Sequence, residues 1–130
     1  MRIVSILTTA AFVGLTTLSA NAAGHGAAVV VETESALGQI LADANGMSLY
    51  TFDKDTSNVS NCNGDCAVSW PPLLAADSAH DNGKLTVIDR NDGSRQWAYD
   101  GEPLYFWVGD TAPGEVNGDG VGGVWHVAKP

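Results

Sequence analysis

The sequence predicts an all-β protein, a compact antiparallel sandwich or partly closed barrel built from two tandem repeats with pseudo-twofold symmetry. Seven positions recur at one offset of 55 residues between the two halves (105 − 50 for the paired tyrosines), which indicates a duplication. Turn dipeptides separate short stretches that are rich in β-branched and aromatic residues. No long stretch has apolar residues at helical spacing. Neither half could cover its apolar face alone, so we expect the two to share one core.

The recurring positions define the repeat. They are Gly46 and Gly101, Leu49 and Leu104, Tyr50 and Tyr105, Phe52 and Trp107, Asp55 and Asp110, Thr56 and Thr111, and Trp70 and Trp125. We expect a single β domain over 23–130, with the repeats at about 28–75 and 83–130.

The first repeat begins with a β-branched strand predicted over 28–32, and residues 34–38 are expected to end it. A hairpin follows, in which 39–44 and 47–52 flank the Asn-Gly dipeptide at 45–46. Asn-Gly tolerates positive φ at both central positions of a type I′ turn, so we expect that turn here.

The second repeat carries two hairpins. Residues 84–89 and 94–99 predict one, and the latter strand continues through Asp100-Gly101 into 104–108 to form the other. Because 104–108 is apolar on both faces, we expect it to be the more central strand.

Each repeat is expected to end in a Trp segment, at 68–74 and 123–127, which brings the total to roughly eight short strands. A short helical turn is compatible with 65–70.

The N-terminus has the features of a secretory signal peptide. Met1 and Arg2 supply a positive start, 3–18 is apolar, and Ala-Asn-Ala at 20–22 matches an A-x-A cleavage site. We expect residues 1–22 to be removed and the mature protein to be periplasmic or extracellular. The rival interpretation is a membrane anchor, but the apolar run is shorter than the about 20 residues that span a bilayer. No cysteine near the cleavage point could carry a lipid, so we expect no anchor in the mature chain.

The chain is acidic, with six basic and fifteen acidic residues and a formal net charge of −9. Nucleic acids and anionic lipid surfaces are therefore not expected as partners.

Cys62 and Cys66 are the only cysteines, and in an exported protein they predict a disulfide. A redox or metal-binding dithiol is the alternative, but the C-x3-C spacing differs from C-x-x-C and no second pair completes a zinc set. The corresponding place in the second repeat, 117–120, has no cysteine, which favours a structural role.

Asp55 and Asp110 follow the aromatic strands at identical spacing, and we expect each carboxylate to accept backbone N–H groups and close its loop. The alternative is a calcium site, although the first loop lacks the central glycine and distal glutamate of an EF-hand. A copper site from Met47, His126 and a thiolate would follow no motif. We therefore predict no metal and no cofactor. The calcium alternative would use Asp53, Asp55, Ser57 and Asn58, or Asp110, Glu115, Asn117 and Asp119.

No catalytic motif is present: the sequence has no G-x-S-x-G, no H-E-x-x-H and no phosphate-binding glycine loop. The protein is therefore not expected to be an enzyme. Catalysis would require a pocket that joins His80 or His126 to a carboxylate from a distant strand.

Aromatic side chains are numerous for so small a domain, and most are expected in the core. A few, with Trp97 and Trp107 as the expected surface-facing ones, could line a groove. The leading prediction is an exported, non-enzymatic domain that binds an unknown protein or small ligand through an aromatic-lined face. The alternative is a periplasmic redox protein or a copper, zinc or calcium protein. The aromatic set is Tyr50, Phe52, Trp70, Trp97, Tyr99, Tyr105, Phe106, Trp107 and Trp125.

Both repeats carry the motif Tyr-x-(Phe/Trp/Tyr)-x-x-Asp, at 50–55 and 105–110. Together with Cys-x-Gly-x-Cys at 62–66 and Trp-Pro-Pro-Leu at 70–73, it resembles a bacterial family of secreted repeats or predicted lipoproteins. The resemblance spans nearly the whole mature chain. It implies an exported two-repeat domain whose biochemical function is unassigned, and it supplies no catalytic residues. The chain departs from the lipoprotein members because it lacks their lipid-bearing cysteine.

Overall fold

A computed structural model describes residues 28–130, so the predicted signal peptide lies outside the described residues. The chain is mostly strands and connections with very little helix, and every strand pairing is antiparallel. The all-β prediction is confirmed, and the sheets are not closed into a barrel. The strands are β1 (Val30–Ser35), β2 (Gly38–Asp43), β3 (Tyr50–Phe52), β4 (Leu85–Asp89), β5 (Arg95–Tyr99), β6 (Glu102–Pro103) and β7 (Trp125–Val127), with a helix α1 (Asp65–Ser69) and a 3-10 turn (Val121–Gly123).

Each repeat begins with a hairpin, β1–β2 in the first and β4–β5 in the second. The second hairpin lies where the sequence predicts it. The first does not, because β1 continues to Ser35 and turns through 36–37, so the predicted break is a hairpin turn. Ser35 Oγ accepts a hydrogen bond from Leu37 N at 3.0 Å, and Gly38 has a φ of 92°, which together replace an Asn-Gly signal.

The two glycine turns differ. Asp100 and Gly101 have φ of 53° and 87°, as the predicted type I′ turn requires. Asn45 is not in the left-handed region, so the type I′ prediction at 45–46 is wrong. Asp43 Oδ1 accepts hydrogen bonds from Asn45 N at 3.0 Å and Met47 N at 2.9 Å and thereby widens the loop to three residues.

The predicted strand at 104–108 is also shorter than expected. Regular pairing ends with β6, and Tyr105 continues it only through isolated bridges to Tyr50 and Pro72. Leu104 and Tyr105 are fully buried, but Val108 is 55% exposed, so the segment is not buried on both faces throughout. The described chain therefore has seven strands rather than eight.

Residues 70–75, which overlap the Trp segment predicted at 68–74, are bound in the sheet of the second repeat. We call residues 70–75 the first Trp segment from here on. Leu73 N donates to Leu104 O at 2.9 Å, and Trp97 N donates to Leu73 O at 2.9 Å. Ala75 N reaches Arg95 O at 2.8 Å. The first repeat thus supplies a strand-like edge to the sheet of its neighbour.

Residues 125–128, which overlap the Trp segment predicted at 123–127, make the reverse exchange. We call them the second Trp segment. Its strand β7 pairs with β3, with Tyr50 opposite Val127 and Phe52 opposite Trp125. Ala128 then donates to Leu49 O at 2.8 Å and accepts from Leu41 N at 2.9 Å. Each repeat therefore completes the sheet of the other, and the two halves are interlocked.

Two hydrophobic clusters form the core, and both contain side chains from both repeats. One cluster is Ile40, Tyr50, Cys62, Trp70, Tyr105, Trp125 and Val127, and the other is Leu41, Leu49, Leu73, Trp97, Leu104 and Ala128.

Candidate functional site

The two motif tyrosines meet on the pseudo-twofold axis. Tyr50 N donates to Tyr105 O at 2.8 Å, and Tyr105 N donates to Tyr50 O at 3.0 Å. Both side chains are fully buried. This reciprocal pair brings the two copies of the motif together at the centre of the molecule.

Each tyrosine hydroxyl donates to the motif aspartate of the other repeat. Tyr50 Oη lies 2.6 Å from Asp110 Oδ2, and Tyr105 Oη lies 2.6 Å from Asp55 Oδ2. A hydrogen bond to a carboxylate is shorter and stronger than one between neutral groups. The exchange therefore ties each aromatic strand to the loop that follows the other.

The second oxygen of each aspartate closes its own loop. Asp55 Oδ1 accepts from Asn61 N at 2.6 Å, and Asp110 Oδ1 accepts from Asn117 N at 3.0 Å. The spacing of the motif thus serves two purposes, since one carboxylate orders a local loop and satisfies a buried phenol from a distant strand.

Burial raises the pKa of both Tyr50 and Tyr105 above the ordinary range, and the carboxylate that each hydroxyl contacts raises it further. Burial also raises the pKa of Asp55, although hydrogen bonds from Tyr105 and Asn61 act in the opposite direction. Both phenols are therefore held in their neutral, donating form.

Four aromatic rings stack along the interface between the repeats. Trp70 and Trp125 lie at its centre, with ring centroids 3.8 Å apart and an angle of 2° between their planes. Trp107 covers the outer face of Trp70 at 4.2 Å, and Phe52 covers Trp125 at 4.2 Å. We call this set the aromatic stack.

The two tyrosines contact the aromatic stack edge-on. Tyr50 meets Trp70 at 5.5 Å, and Tyr105 meets Trp125 at 5.1 Å. The central indoles are only 5% and 4% exposed, whereas Phe52 and Trp107 are half-buried. Among the motif aromatics, the two end rings are therefore the ones that solvent can reach.

Trp97 was expected at the surface, and this prediction is wrong. It is 7% exposed, because its side chain packs in the second hydrophobic cluster with Leu73 of the first Trp segment and with Leu41 and Leu49 of the first repeat. Tyr99 and Phe106 are half-buried against the same cluster.

Cys62 and Cys66 form the predicted disulfide, so neither thiol is free in the structure. The buried guanidinium of Arg90 lies under this loop. It donates to Cys62 O at 2.8 Å, Ser60 Oγ at 3.0 Å and Gln96 Oε1 at 2.8 Å. The loop is therefore held by a charge as well as by a covalent bond.

The metal alternatives find no support in the described part of the chain, residues 28–130, where no group of three or more His, Cys, Asp or Glu could hold an ion. Several oxygens of the calcium alternative already accept backbone N–H groups. Asp119 accepts from Val127 N at 2.9 Å, and Glu115 accepts from Ala112 N at 3.2 Å. The copper alternative lacks its thiolate because both cysteines are oxidised.

A cleft of about 290 Å³ opens beside the Phe52 end of the aromatic stack. One wall is the loop after β3, and the other is the turn between β5 and β6. Four carboxylates line this cleft, and none of the basic side chains in residues 28–130 does. The lining residues are Phe52, Asp53, Asp55, Thr56, Ser57, Asp100, Gly101, Glu102 and Pro103. We call it the acidic cleft. A second cavity of about 250 Å³ shares Glu102 with it.

The pseudo-twofold axis relates the acidic cleft to a region that lacks its charges. At the offset of 55 residues, Asp53 corresponds to Val108 (108 − 53) and Glu102 corresponds to Met47 (102 − 47). Asp100 likewise corresponds to Asn45. Of the four cleft carboxylates, only Asp55 has an acidic counterpart, Asp110, so three of the charges occur in one of the two equivalent places.

His126 lies at the edge of the acidic cleft. Its Nε2 is 2.8 Å from Asp53 Oδ2, and the two side chains are 47% and 53% exposed. This is a contact between a histidine and a cleft carboxylate from distant strands. His80 is exposed elsewhere.

Sequence reasoning placed the motif residues and grouped Asp53, Asp55 and Ser57 in the calcium alternative, but it did not bring the second wall of the acidic cleft to them. The sequence predicts Asp100 only as part of a turn and gives Glu102 no role. One sequence signal could have indicated the cleft: Asp100 and Glu102 are acidic, whereas the equivalent positions in the first repeat, Asn45 and Met47, are not. Arg90 and Ser60 carried no signal, since their roles depend on contacts across the fold.

Among the described residues, no helix has the length and apolar character needed to cross a membrane. Comparisons with curated proteins and with solved structures found no match. A family model described as a secreted repeat of unknown function matches residues 31–74 and 86–129. The two matches begin 55 residues apart (86 − 31) and together cover more than half of the chain, so the protein belongs to this family of secreted repeats.

Proposed function

We propose that this exported protein acts outside the cytoplasm by binding a small cationic ligand in the acidic cleft, with the Phe52 ring as its aromatic wall. The observation that carries the proposal is the composition of the cleft, which combines a half-buried aromatic ring with four carboxylates and, among the residues that the structure describes, no basic side chain. A cation in such a place gains from the negative charges and from the face of the ring.

The internal duplication supports a functional origin for these charges. Positions that match between the repeats, such as Asp55 and Asp110, have the same structural partners in both. Asp53, Asp100 and Glu102 have no acidic counterpart, and the fold forms at the equivalent place without one. The fold therefore does not require these three carboxylates, and ligand binding accounts for their concentration beside Asp55.

The net charge of the chain works in the same direction. With fifteen acidic and six basic residues, the protein attracts cations and repels anions over its surface. The cleft concentrates that field where an aromatic wall is also available.

The test is a titration of the protein with choline and with spermidine, followed by amide chemical shifts, with acetate as the anionic control. We expect shifts for the cations that converge on the acidic cleft. Asp100→Asn with Glu102→Gln should abolish most of the response, and Phe52→Leu should weaken binding by about fivefold, which corresponds to a cation–π contact of about 1 kcal/mol. Shifts spread evenly over all exposed carboxylates would contradict the proposal.

The matched control is Glu32→Gln. Glu32 is an exposed carboxylate on β1, outside the cleft, so its neutralisation changes the net charge without changing the site. Binding should be nearly unaffected in this variant. Equal losses in Glu32→Gln and Glu102→Gln would mean that only the overall charge matters.

A hydrolytic enzyme is the second candidate, and the contact between His126 and Asp53 favours it. A carboxylate that orients a histidine is part of many acyl-transfer sites, and the hydroxyls of Thr56 and Ser57 line the same cleft. Hydrolysis of p-nitrophenyl acetate by the protein should then disappear in His126→Gln and persist in Glu32→Gln. A background rate that is equal in all three proteins would leave ligand binding as the only proposed function.

A further inference from the structure

The rings of the aromatic stack have shorter centroid distances than most aromatic pairs in protein cores. Aromatic pairs in proteins usually have centroids about 4.5–7 Å apart, because ring quadrupoles favour offset or edge-to-face arrangements. The three stacked pairs here lie at 4.2, 3.8 and 4.2 Å. Close face-to-face approach brings the π systems into overlap, and overlap is what couples rings for electron transfer.

Each central indole also contacts a tyrosine whose hydroxyl is hydrogen-bonded to an aspartate, and this aspartate can act as a proton acceptor. Tyr50 touches Trp70 and donates to Asp110, and its counterpart Tyr105 touches Trp125 and donates to Asp55, both at 2.6 Å. A phenol that loses an electron becomes a strong acid, so a carboxylate at this distance can take its proton at once. The unit of indole, phenol and carboxylate occurs twice, related by the pseudo-twofold axis.

We infer that the aromatic stack and the two Tyr–Asp pairs form a relay that accepts one oxidising equivalent at Trp107 and stores it on a buried tyrosine. The reaction partner is a high-potential one-electron oxidant, such as a radical derived from peroxide. Trp107 is the point of attack because it is the half-buried indole of the stack, whereas the phenyl ring of Phe52 at the other end is much harder to oxidise.

The oxidant takes one electron from Trp107, which takes one from Trp70, which takes one from Tyr50. The phenolic proton of Tyr50 moves to Asp110, so the products are the reduced oxidant, a neutral tyrosyl radical and a neutral carboxylic acid. Alternatively, oxidised Trp70 takes an electron from Trp125, which takes one from Tyr105, and the phenolic proton of Tyr105 then moves to Asp55. A one-electron reductant at Trp107 reverses the sequence and the proton returns.

The test is photo-oxidation of the full chain with tris(bipyridine)ruthenium and persulfate, freeze-quenched for electron paramagnetic resonance. The protein carries Tyr99→Phe, since Tyr99 is half-buried and outside the stack. We expect a neutral tyrosyl radical. Asp55→Asn with Asp110→Asn should remove it and leave a tryptophan radical, because an amide oxygen still accepts the hydrogen bond but does not take up the proton.

Trp107→Phe should reduce the tyrosyl signal to near background, whereas Trp97→Phe, which removes an indole outside the stack, should leave it unchanged. Circular dichroism confirms that each variant is folded. If the double Asn variant does not fold, the single variants Asp55→Asn and Asp110→Asn should each lose one of the two radical populations. A tyrosyl yield that survives both Asn substitutions, or that is unchanged by Trp107→Phe, would overturn the inference.

Discussion

The loop that follows the aromatic strand is stabilised differently in the two repeats. In the first repeat it carries the Cys62–Cys66 disulfide and rests on the buried guanidinium of Arg90. In the second repeat the equivalent loop has no cysteine, and Gly118 donates its backbone N–H to Tyr50 Oη at 3.1 Å. A Cβ on Gly118 would lie 2.9 Å from the Trp70 and Tyr50 rings, so only glycine fits there.

The same structural task is therefore solved twice with different chemistry. What the repeats share is the exchange of Trp segments and the exchange of Tyr–Asp hydrogen bonds. Features present in both repeats build the core, and features present in one, such as the charges of the acidic cleft, are free to serve a function.

The largest effect should follow from cutting the chain between residues 80 and 81. Each fragment then lacks the Trp segment that completes its sheet, so neither should fold alone, and an equimolar mixture should recover the native far-UV spectrum. Circular dichroism and tryptophan fluorescence of the separate and mixed fragments measure this. Cooperative unfolding of one isolated fragment would show that the exchange is not essential.

Alkaline pH should unfold the protein through both tyrosines together. Burial raises the pKa of Tyr50 and Tyr105 in the folded state, so their contribution to stability is complete below the unfolded value of about 10 and is lost as the pH rises above it. The free energy of unfolding should fall by about 2.7 kcal/mol per pH unit for the two groups. Urea titrations between neutral pH and the alkaline range measure it, and Tyr50→Phe with Tyr105→Phe should remove this slope.

The two aspartates should differ when each is replaced by alanine. Asp110→Ala should cost about 2–3 kcal/mol, since the Tyr50 hydroxyl is then left without an acceptor. Asp55→Ala should cost about 1 kcal/mol less, because Ser60 Oγ lies 2.7 Å from the Tyr105 hydroxyl and can accept its hydrogen bond. The shift of the urea midpoint at constant slope measures both. Equal losses would mean that Ser60 offers no compensation.

Reducing the disulfide should have a modest effect, comparable to that of Asp55→Ala. The loop it closes is short, and the chain-entropy contribution is about 2 kcal/mol. The fold should survive, because Arg90 still holds the loop and the second repeat needs no disulfide at the same place. Urea unfolding with and without reductant measures the difference. Loss of the native spectrum in reductant alone would show that the disulfide is needed for folding itself.

Several features could be predicted because they depend on neighbouring residues. The hairpin over β4 and β5, the turn at Asp100-Gly101 and the disulfide follow from local patterns. The turn at 45–46 was mispredicted because the side chain of Asp43, outside the dipeptide, sets the loop. Trp97 was misplaced because the segment that covers it comes from the other repeat.

The sequence by itself determined the duplication, the all-β class and the positions of the motif residues, because periodicity and turn chemistry are properties of short stretches. Only the tertiary structure decided that Tyr50 bonds to Asp110 rather than to Asp55, and that Asp53 and Glu102 line one cleft. A repeat specifies which residues are equivalent, but it does not specify whether a tyrosine bonds to the aspartate of its own copy or to that of the other copy. That choice is made when two incomplete sheets bury their edges against each other, since only exchange pairs the hydrogen-bonding groups of both.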